Sequence, residues 1–245
     1  LRSAAPACLL AAACLLALLA ACQRSADEAG RAPAAQGFPH ADRPTRIVRS
    51  DDNDPEARRD ELNEASTVMD LADIRADMTV ADIGAGEGYY TVRLAPRVGR
   101  KGRVLAEDID GGALTRLGDR VQRERLDNIS IKQGDEADAH LPPASFDRIF
   151  MVHMYPEVNE PYAFLWHMRP ALRPGGRVIV VDVDRPTSQH GIPPRQLFCE
   201  FSAVGFRLTE FIRKPELTGY YAQFEPIGER PAPAAIKACR NRGRP

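Results

Sequence analysis

Charge of one sign is not in excess in this 245-residue chain: 33 Lys and Arg stand against 34 Asp and Glu, a formal net charge of -1. No long basic run occurs, so electrostatics gives no ground for nucleic acid as a partner. Cysteine is scarce, five in all, and no Cys/His spacing suggests a zinc site. Cys8 and Cys14 fall in the leading apolar run and Cys22 ends it, which leaves Cys199 and Cys239 downstream. An oxidising compartment would permit those two to pair, but two cysteines give no framework, and Leu197-Phe198-Cys199 reads as core context for a small apolar residue. The leading run, Ala7–Ala21, is shorter than the roughly 20 residues that a comfortable membrane span needs. Internal repeats are absent.

What is present begins with that leader. Arg2 precedes an Ala- and Leu-rich run that closes on Leu19-Ala20-Ala21-Cys22. A basic start, a short apolar stretch and small residues before the cut describe a secretory signal. Leu-Ala-Ala-Cys resembles the lipobox of bacterial lipoproteins, and the resemblance implies lipidation at Cys22 and an address on the periplasmic side of the envelope, with the membrane touched through that anchor only. The alternatives are a plain secretory cut nearby and an uncleaved span. Residues 23–50, rich in Ala, Pro, Arg and Gly near their start, read as a flexible tether. Residues 51–228 read as one α/β domain, and 229–245 as an irregular tail.

The stretch that organises the domain is Val80-Ala81-Asp82-Ile83-Gly84-Ala85-Gly86-Glu87-Gly88-Tyr89-Tyr90. It reads as a buried strand, a glycine turn and a helix start. Glycines at alternate positions let the backbone take positive φ and approach a ligand closely. A dinucleotide loop prefers G-x-G-x-x-G with pyrophosphate at the helix N-terminus. Here the third glycine comes one position early, Tyr89 stands where that pattern wants Gly, and Glu87 would repel phosphate, so a phosphate-free ligand fits better. The D-x-G-x-G-x-G pattern resembles motif I of the class I S-adenosylmethionine-dependent methyltransferases. The resemblance implies cofactor contacts at Asp82, Gly84, Ala85, Gly86, Gly88 and Tyr89.

Further segments extend that resemblance. Val104-Leu105-Ala106 reads as a second strand ending in Glu107-Asp108-Ile109-Asp110, about 20 residues past the loop, where nucleoside-binding α/β folds place an acid on the ribose hydroxyls. Ala-Glu-Asp-Ile-Asp is similar to the family's A-V-D-I-S/D segment, which implies Asp108 as ribose ligand with Ile109 beside it; Glu107 is the near alternative. Ile129–Gln133 reads as the third strand, and Gly134-Asp135-Glu136-Ala137 resembles the segment whose acid meets the adenine amino group, here Asp135 with Glu136 as a possible partner. Leu141-Pro142-Pro143-Ala144-Ser145-Phe146-Asp147-Arg148-Ile149-Phe150 resembles the lead into the family's fourth strand, and Leu172-Arg173-Pro174-Gly175-Gly176-Arg177 the turn before its fifth.

The resemblance implies a Rossmann-like three-layer sandwich with a seven-stranded, mostly parallel sheet and an antiparallel last strand. It implies methyl transfer to an acceptor, a small molecule being favoured because the Asn-Pro-Pro-Tyr motif of amino-group methylases of nucleic acid and protein is absent: Val152-His153-Met154-Tyr155 stands there. His153 and Tyr155 are the candidate catalytic residues, His153 for its acid–base range and Tyr155 as an acceptor-orienting group. Asp182, Asp184 and His190 are candidates for the acceptor side. An exported address conflicts with a cytoplasmic cofactor, which leaves a non-catalytic nucleoside-binding lipoprotein and a NAD-dependent oxidoreductase as the competing readings. A helix is expected from Asp54 to about Asp70, others over Tyr89–Val98, Gly111–Arg125, Glu160–Leu172 and Arg195–Val204, and a fifth strand over Arg177–Asp182.

Overall fold

The computed structural model describes residues 30–45, 56–214, 217 and 219–240. The leader, Cys22 and the Asp54-Pro55 helix start lie outside the described residues. The chain divides into two compact units, Leu1–Gly37 and Phe38–Pro245. In the first, Pro33–Ala35 forms a short 3-10 turn. Among the described residues no helix is long and apolar enough to cross a membrane.

The second unit holds a seven-stranded sheet. The elements run α1 (Glu56–Glu61), α2 (Glu64–Leu71), β1 (Thr79–Ile83), α3 (Tyr89–Val98), β2 (Arg103–Asp108), α4 (Gly111–Glu124), β3 (Ile129–Gln133), β4 (Phe146–Val152), α5 (Pro161–Met168), β5 (Leu172–Asp182), α6 (Pro194–Ala203), β6 (Phe206–Lys214) and β7 (Gly219–Pro226). The strand order is 3-2-1-4-5-7-6. β1 pairs in parallel with β2 and β4, while β7 runs antiparallel to both β5 and β6. The expected α/β architecture and antiparallel last strand are therefore present. The order reverses between β2-β1 and β4, and ligands of open α/β sheets bind at such a switch point, outside the carboxyl ends of the strands.

Both faces of the sheet are covered, so its central strands read as unbroken apolar runs. On one face Val80, Val104, Phe150 and Ile179 pack with Val68 of α2 and Leu94 of α3. The other carries an aromatic layer in which Phe201 of α6 stacks on Phe224 of β7 at 4.0 Å, with Phe206 edge-on at 5.4 Å. Burying each such ring is worth roughly 1.5–3 kcal/mol.

Several boundaries differ from expectation, each for a local reason. The single helix expected to Asp70 is two helices, because Asn63 takes φ 55° and breaks the rod; Asn tolerates that backbone better than most residues. α5 ends at Met168 and passes into a 3-10 turn, Arg169–Ala171, around Pro170. β5 starts at Leu172, five residues early, because Arg173-Pro174-Gly175-Gly176 is absorbed as a register shift: Phe146 pairs with Leu172, then Arg148 with Arg177.

The tether and tail also need correction. Phe38 packs edge-on against Trp166 at 5.4 Å. The Arg43 guanidinium is fully buried, pairs with Glu200 at 2.8 Å, and donates to the carbonyls of Pro156 (3.1 Å) and Val158 (3.0 Å). Residues 38–45 thus belong to the domain rather than to a loose tether. Over residues 229–240 the tail is irregular apart from a 3-10 turn at Pro233–Ala235, yet Cys239 is disulfide-bonded to Cys199 on α6 and its backbone N–H donates to Tyr162 Oη at 2.6 Å. Cys199 is a cross-link rather than a simple core residue.

Candidate functional site

The site begins where β1 runs out. Gly84, Gly86 and Gly88 have φ of 67°, 54° and 89°, values in which a side chain is strained. Space adds a second constraint at Gly84, where a Cβ would lie 2.7 Å from Met154 Cβ. The turn is laced to β2: Ala85 N–H donates to Glu107 O at 2.9 Å, and Gly86 N–H to Asp108 Oδ2 at 2.8 Å.

Four acids sit at the strand tips, in different environments. Asp82 is 3% exposed and accepts from Thr91 Oγ1 at 2.6 Å, which pins α3 to β1; burial, despite that bond, pushes its carboxyl up to about 6. Asp108 is half-buried and also accepts from Asp110 N–H at 2.9 Å. Each carboxylate oxygen keeps a second lone pair, so the ribose role read for Asp108 is compatible with these bonds. Its neighbour Glu107 is 2% exposed and turned beneath the loop, where it takes a backbone hydrogen bond from Gly84. Glu107 Oε1 has no hydrogen-bond partner among the described residues. Burial first, then the charges of Asp108 and Asp82, pushes this carboxyl up to about 8. Beyond β3, Asp135 pairs with His140 Nε2 at 2.5 Å, while Glu136 and Ile109 are exposed.

The other predicted residues separate. Tyr89 lies between two guanidiniums, Arg59 at 3.7 Å and Arg93 at 3.9 Å from its ring, and donates to Asp60 at 3.1 Å. It ties α1 to α3. His153 follows β4 directly, with φ 55°, and its N–H donates to Val181 O at 2.9 Å, extending the β4–β5 ladder. Tyr155 is fully buried and donates to Glu200 Oε2 at 2.7 Å; burial and then that carboxylate push its phenol well above 10.0. It holds its proton for Glu200 and so supports the Arg43 anchor, apart from His153. His190 stands 3.8 Å from Glu157, and Asp184 pairs with Arg213 at 2.8 Å.

One further residue at the site was not read from the sequence. Glu64 on α2 is 3% exposed, accepts from Arg59 Nη2 at 2.6 Å and Tyr90 Oη at 3.0 Å, and lies 3.8 Å from His153 Nε2. Burial alone would raise this carboxyl, but His153 and Arg59 outweigh it and hold it down at about 2. The available signal was spacing: Glu64 is four residues before Val68, hence on the buried stripe of its helix.

A separate cleft of ≈ 360 Å³ is lined by Glu56, Glu87, Arg116, Asp119, Arg120 and Arg123. It contains none of the strand-tip acids, and two of its arginines are already paired, Arg116 with Glu87 at 2.7 Å and Arg120 with Glu56 at 2.5 Å.

Residues 80–176 match the methyltransferase domain family. Among curated relatives, the chain is 31% identical over 113 residues to the protein-L-isoaspartate O-methyltransferase of Methanothrix thermoacetophila, covering 46% of this chain and 51% of that one. It is 31% identical over 126 residues to the ubiquinone/menaquinone biosynthesis C-methyltransferase UbiE of Hahella chejuensis, covering 49% of each. The chain thus spans about half the length of the curated relatives it matches. Among solved structures, a SAM dependent methyltransferase from Aquifex aeolicus has TM-score 0.60 at 20% identity, covering 70% of this chain and 97% of that one. The [4+2]-cyclase SpnF has TM-score 0.58 at 14% identity, covering 78% and 87%. The fold is that of the Rossmann-like methyltransferases.

Proposed function

We propose that this protein is an S-adenosylmethionine-dependent methyltransferase that acts on a small-molecule acceptor. The observation that carries the reading is the juxtaposition, at the carboxyl ends of β1 and β2 beside the β1–β4 switch point, of a positive-φ glycine turn and the Asp108 carboxylate, which meet at the Gly86 N–H, inside the segment that matches the methyltransferase domain family.

The residues fit the cofactor. The turn offers bare backbone, the arginines beside it being paired, Arg116 with Glu87 and Arg120 with Glu56, while Asp108 has acceptor capacity for a vicinal diol. Asp135 and the exposed Ile109 stand at the neighbouring strand tips for the base. When bound, S-adenosylmethionine supplies an electrophilic methyl group on a sulfonium. The protein's part is to hold the acceptor in line with that methyl, where position and orientation supply much of the rate. His153, at the tip of β4, is the group placed to take a proton from an acceptor that begins protonated.

The proposal extends to the address: a lipoprotein anchored through Cys22 on the periplasmic side of the envelope. The Leu19-Ala20-Ala21-Cys22 sequence supports it, and the Cys199–Cys239 bridge suits an oxidising compartment. Mass spectrometry of the mature N-terminus tests this; an unmodified Cys22 overturns it.

Calorimetric titration of the full chain with S-adenosylmethionine, S-adenosylhomocysteine and NAD tests the function. Binding of the first two, with methyl turnover on a small-molecule extract, is expected. Binding without turnover points to a nucleoside-binding lipoprotein, and NAD binding alone to an oxidoreductase.

A further inference from the structure

A second group of side chains lies on the β4–β5 side of the glycine turn. Met154 packs against Gly84, so the His153–Met154 corner stands over the first glycine of the loop. Asp182 ends β5 next to that corner, since Val152 pairs with Val181 and His153 N–H donates to Val181 O. The Asp182 side chain is 1% exposed. Its Oδ1 accepts from Val183 N–H at 2.7 Å, while Oδ2 has no partner among the described residues. The phenol across the β5–β7 ladder, Tyr220, does not supply one, because it donates to Ile192 O at 2.9 Å. A buried, unpaired acceptor oxygen is costly, and its position beside the corner over the loop marks where a donor is wanted. On the other side of His153 stands the Glu64 carboxylate, 3.8 Å from Nε2. The cation nearest to Glu64, Arg59, is already committed to it and to the Tyr89 ring.

We infer that Glu64, His153 and Asp182 form the acceptor end of the site, and that the acceptor is an amine whose nitrogen donates to Asp182 Oδ2 and yields its proton to His153. This deepens the methyltransferase reading and rests on it. The three groups bring a carboxylate, an imidazole and an unpaired carboxyl to the ends of β4 and β5, and the cation paired with Glu64, Arg59, is committed to it. Such a wall favours a ligand that brings donors and positive charge, and it repels a carboxylate or phosphate acceptor. An alcohol satisfies one lone pair but gains nothing from the field; an ammonium gains both. Burial pushes the Asp182 carboxyl up to about 7, more than the charges of His153, Arg185 and Arg43 offset.

The step balances without a further reactant. An ammonium acceptor gives one proton to the His153 imidazole. The freed nitrogen lone pair then forms the new N–C bond as the methyl's bond to sulfur breaks, and that electron pair stays on sulfur as a neutral thioether. The positive charge passes from sulfur to the methylated nitrogen, still beside Glu64 and Asp182. His153, with a side chain 22% exposed, returns its proton to solvent. Glu64 acts through His153 and is a positioning residue.

The test uses the full chain saturated with S-adenosylhomocysteine and titrated near neutral pH with hexylamine, hexanol and hexanoate. Hexylamine is expected to bind about tenfold more tightly than hexanol, and hexanoate more weakly than either. Asp182→Asn, which keeps the side-chain shape, is expected to bring the amine-to-alcohol ratio to about one with near-parental melting, and Glu64→Gln to lower it about threefold with a lower melting temperature because Arg59 loses its buried partner, both with unchanged S-adenosylhomocysteine affinity. A merely structural role would weaken all three probes together and leave the ratio alone, which overturns the inference. So does equal affinity for amine and alcohol, or no binding of any probe. Loss of S-adenosylhomocysteine affinity in step with hexylamine assigns the acids to the cofactor and also overturns it. Failure of the parental chain to bind S-adenosylhomocysteine removes the methyltransferase reading itself, a result distinct from loss of amine preference alone.

Discussion

Glu107→Gln offers the sharpest check on the chemistry beneath the glycine turn. The carboxyl is 2% exposed with one oxygen unpartnered, and its folded value of about 8 stands against an ordinary 4.5. Between those two pH values the folded chain holds a proton that the unfolded chain has released. Folding therefore takes up a proton, and stability falls as pH rises. The contribution is complete below about 4.5, the ordinary value, and gone above about 8. At ~1.4 kcal/mol for each pH unit, the window spans on the order of 3–5 kcal/mol. Glutamine has nearly the same volume, keeps an oxygen to accept from Gly84 N–H, and does not titrate. Urea unfolding followed by circular dichroism from pH 5 to 8 should therefore show the variant within ~1 kcal/mol of the parent at the acid end and more stable by ~2–4 kcal/mol at the alkaline end. Asp82 and Asp182, raised to about 6 and about 7, tilt both proteins in the same direction, so the difference between the two curves isolates Glu107. Curves that remain parallel across the range would refute a buried, protonated carboxyl at this position.

Four other outcomes are expected. Replacing Cys199 and Cys239 by Ala removes a cross-link over 40 residues, which by loop-closure entropy costs ~4 kcal/mol; denaturant midpoints with and without reductant read the loss, and a reductant-insensitive parent contradicts it. Arg43→Ala leaves Glu200 buried without its cation and should cost ~3–5 kcal/mol, more than the paired Arg43→Met, Glu200→Leu variant; thermal unfolding ranks them. Gly84→Ala forces a side chain into positive φ against Met154 and should cost ~1–3 kcal/mol, part of it recovered by Met154→Ala in the same chain, as double-mutant melting would show. Asp108→Asn, which keeps the Gly86 acceptor but halves the capacity for a diol, should weaken S-adenosylhomocysteine binding by ~1–3 kcal/mol with little change in melting; equal calorimetric affinity would remove the ribose role.

Local chemistry made the β1–α3–β2 part of the fold readable in advance. β1, α3 and β3 lie where apolar runs and glycine signals placed them; for β1 and its turn the reason is that a strand buried on both faces and a turn needing positive φ each leave a distinct residue pattern. Asp108 was legible for the same reason: its distance from the glycine turn follows from the length of one helix and one strand. The break at Asn63 was not read from the sequence: Asn tolerates positive φ, but one Asn within Glu56–Leu71 does not by itself say that the rod ends there. Nor was β5's early start, because an Arg-Pro-Gly-Gly run ordinarily signals a turn and only pairing with β4 draws it into the ladder.

The one-dimensional chain thus determined the glycine turn after β1, the acid that ends β2 and the kind of sheet they sit on, because these depend on residues within about one supersecondary unit. Which acid is buried, which histidine meets Glu64 and which tyrosine turns into the core were decided only in three dimensions. Glu64, His153 and Asp182 come from three separate parts of the chain, as do Arg43, Tyr155 and Glu200. The titration of Glu64, Asp182 and Tyr155 depends on water removed by neighbours that the sequence does not place beside them.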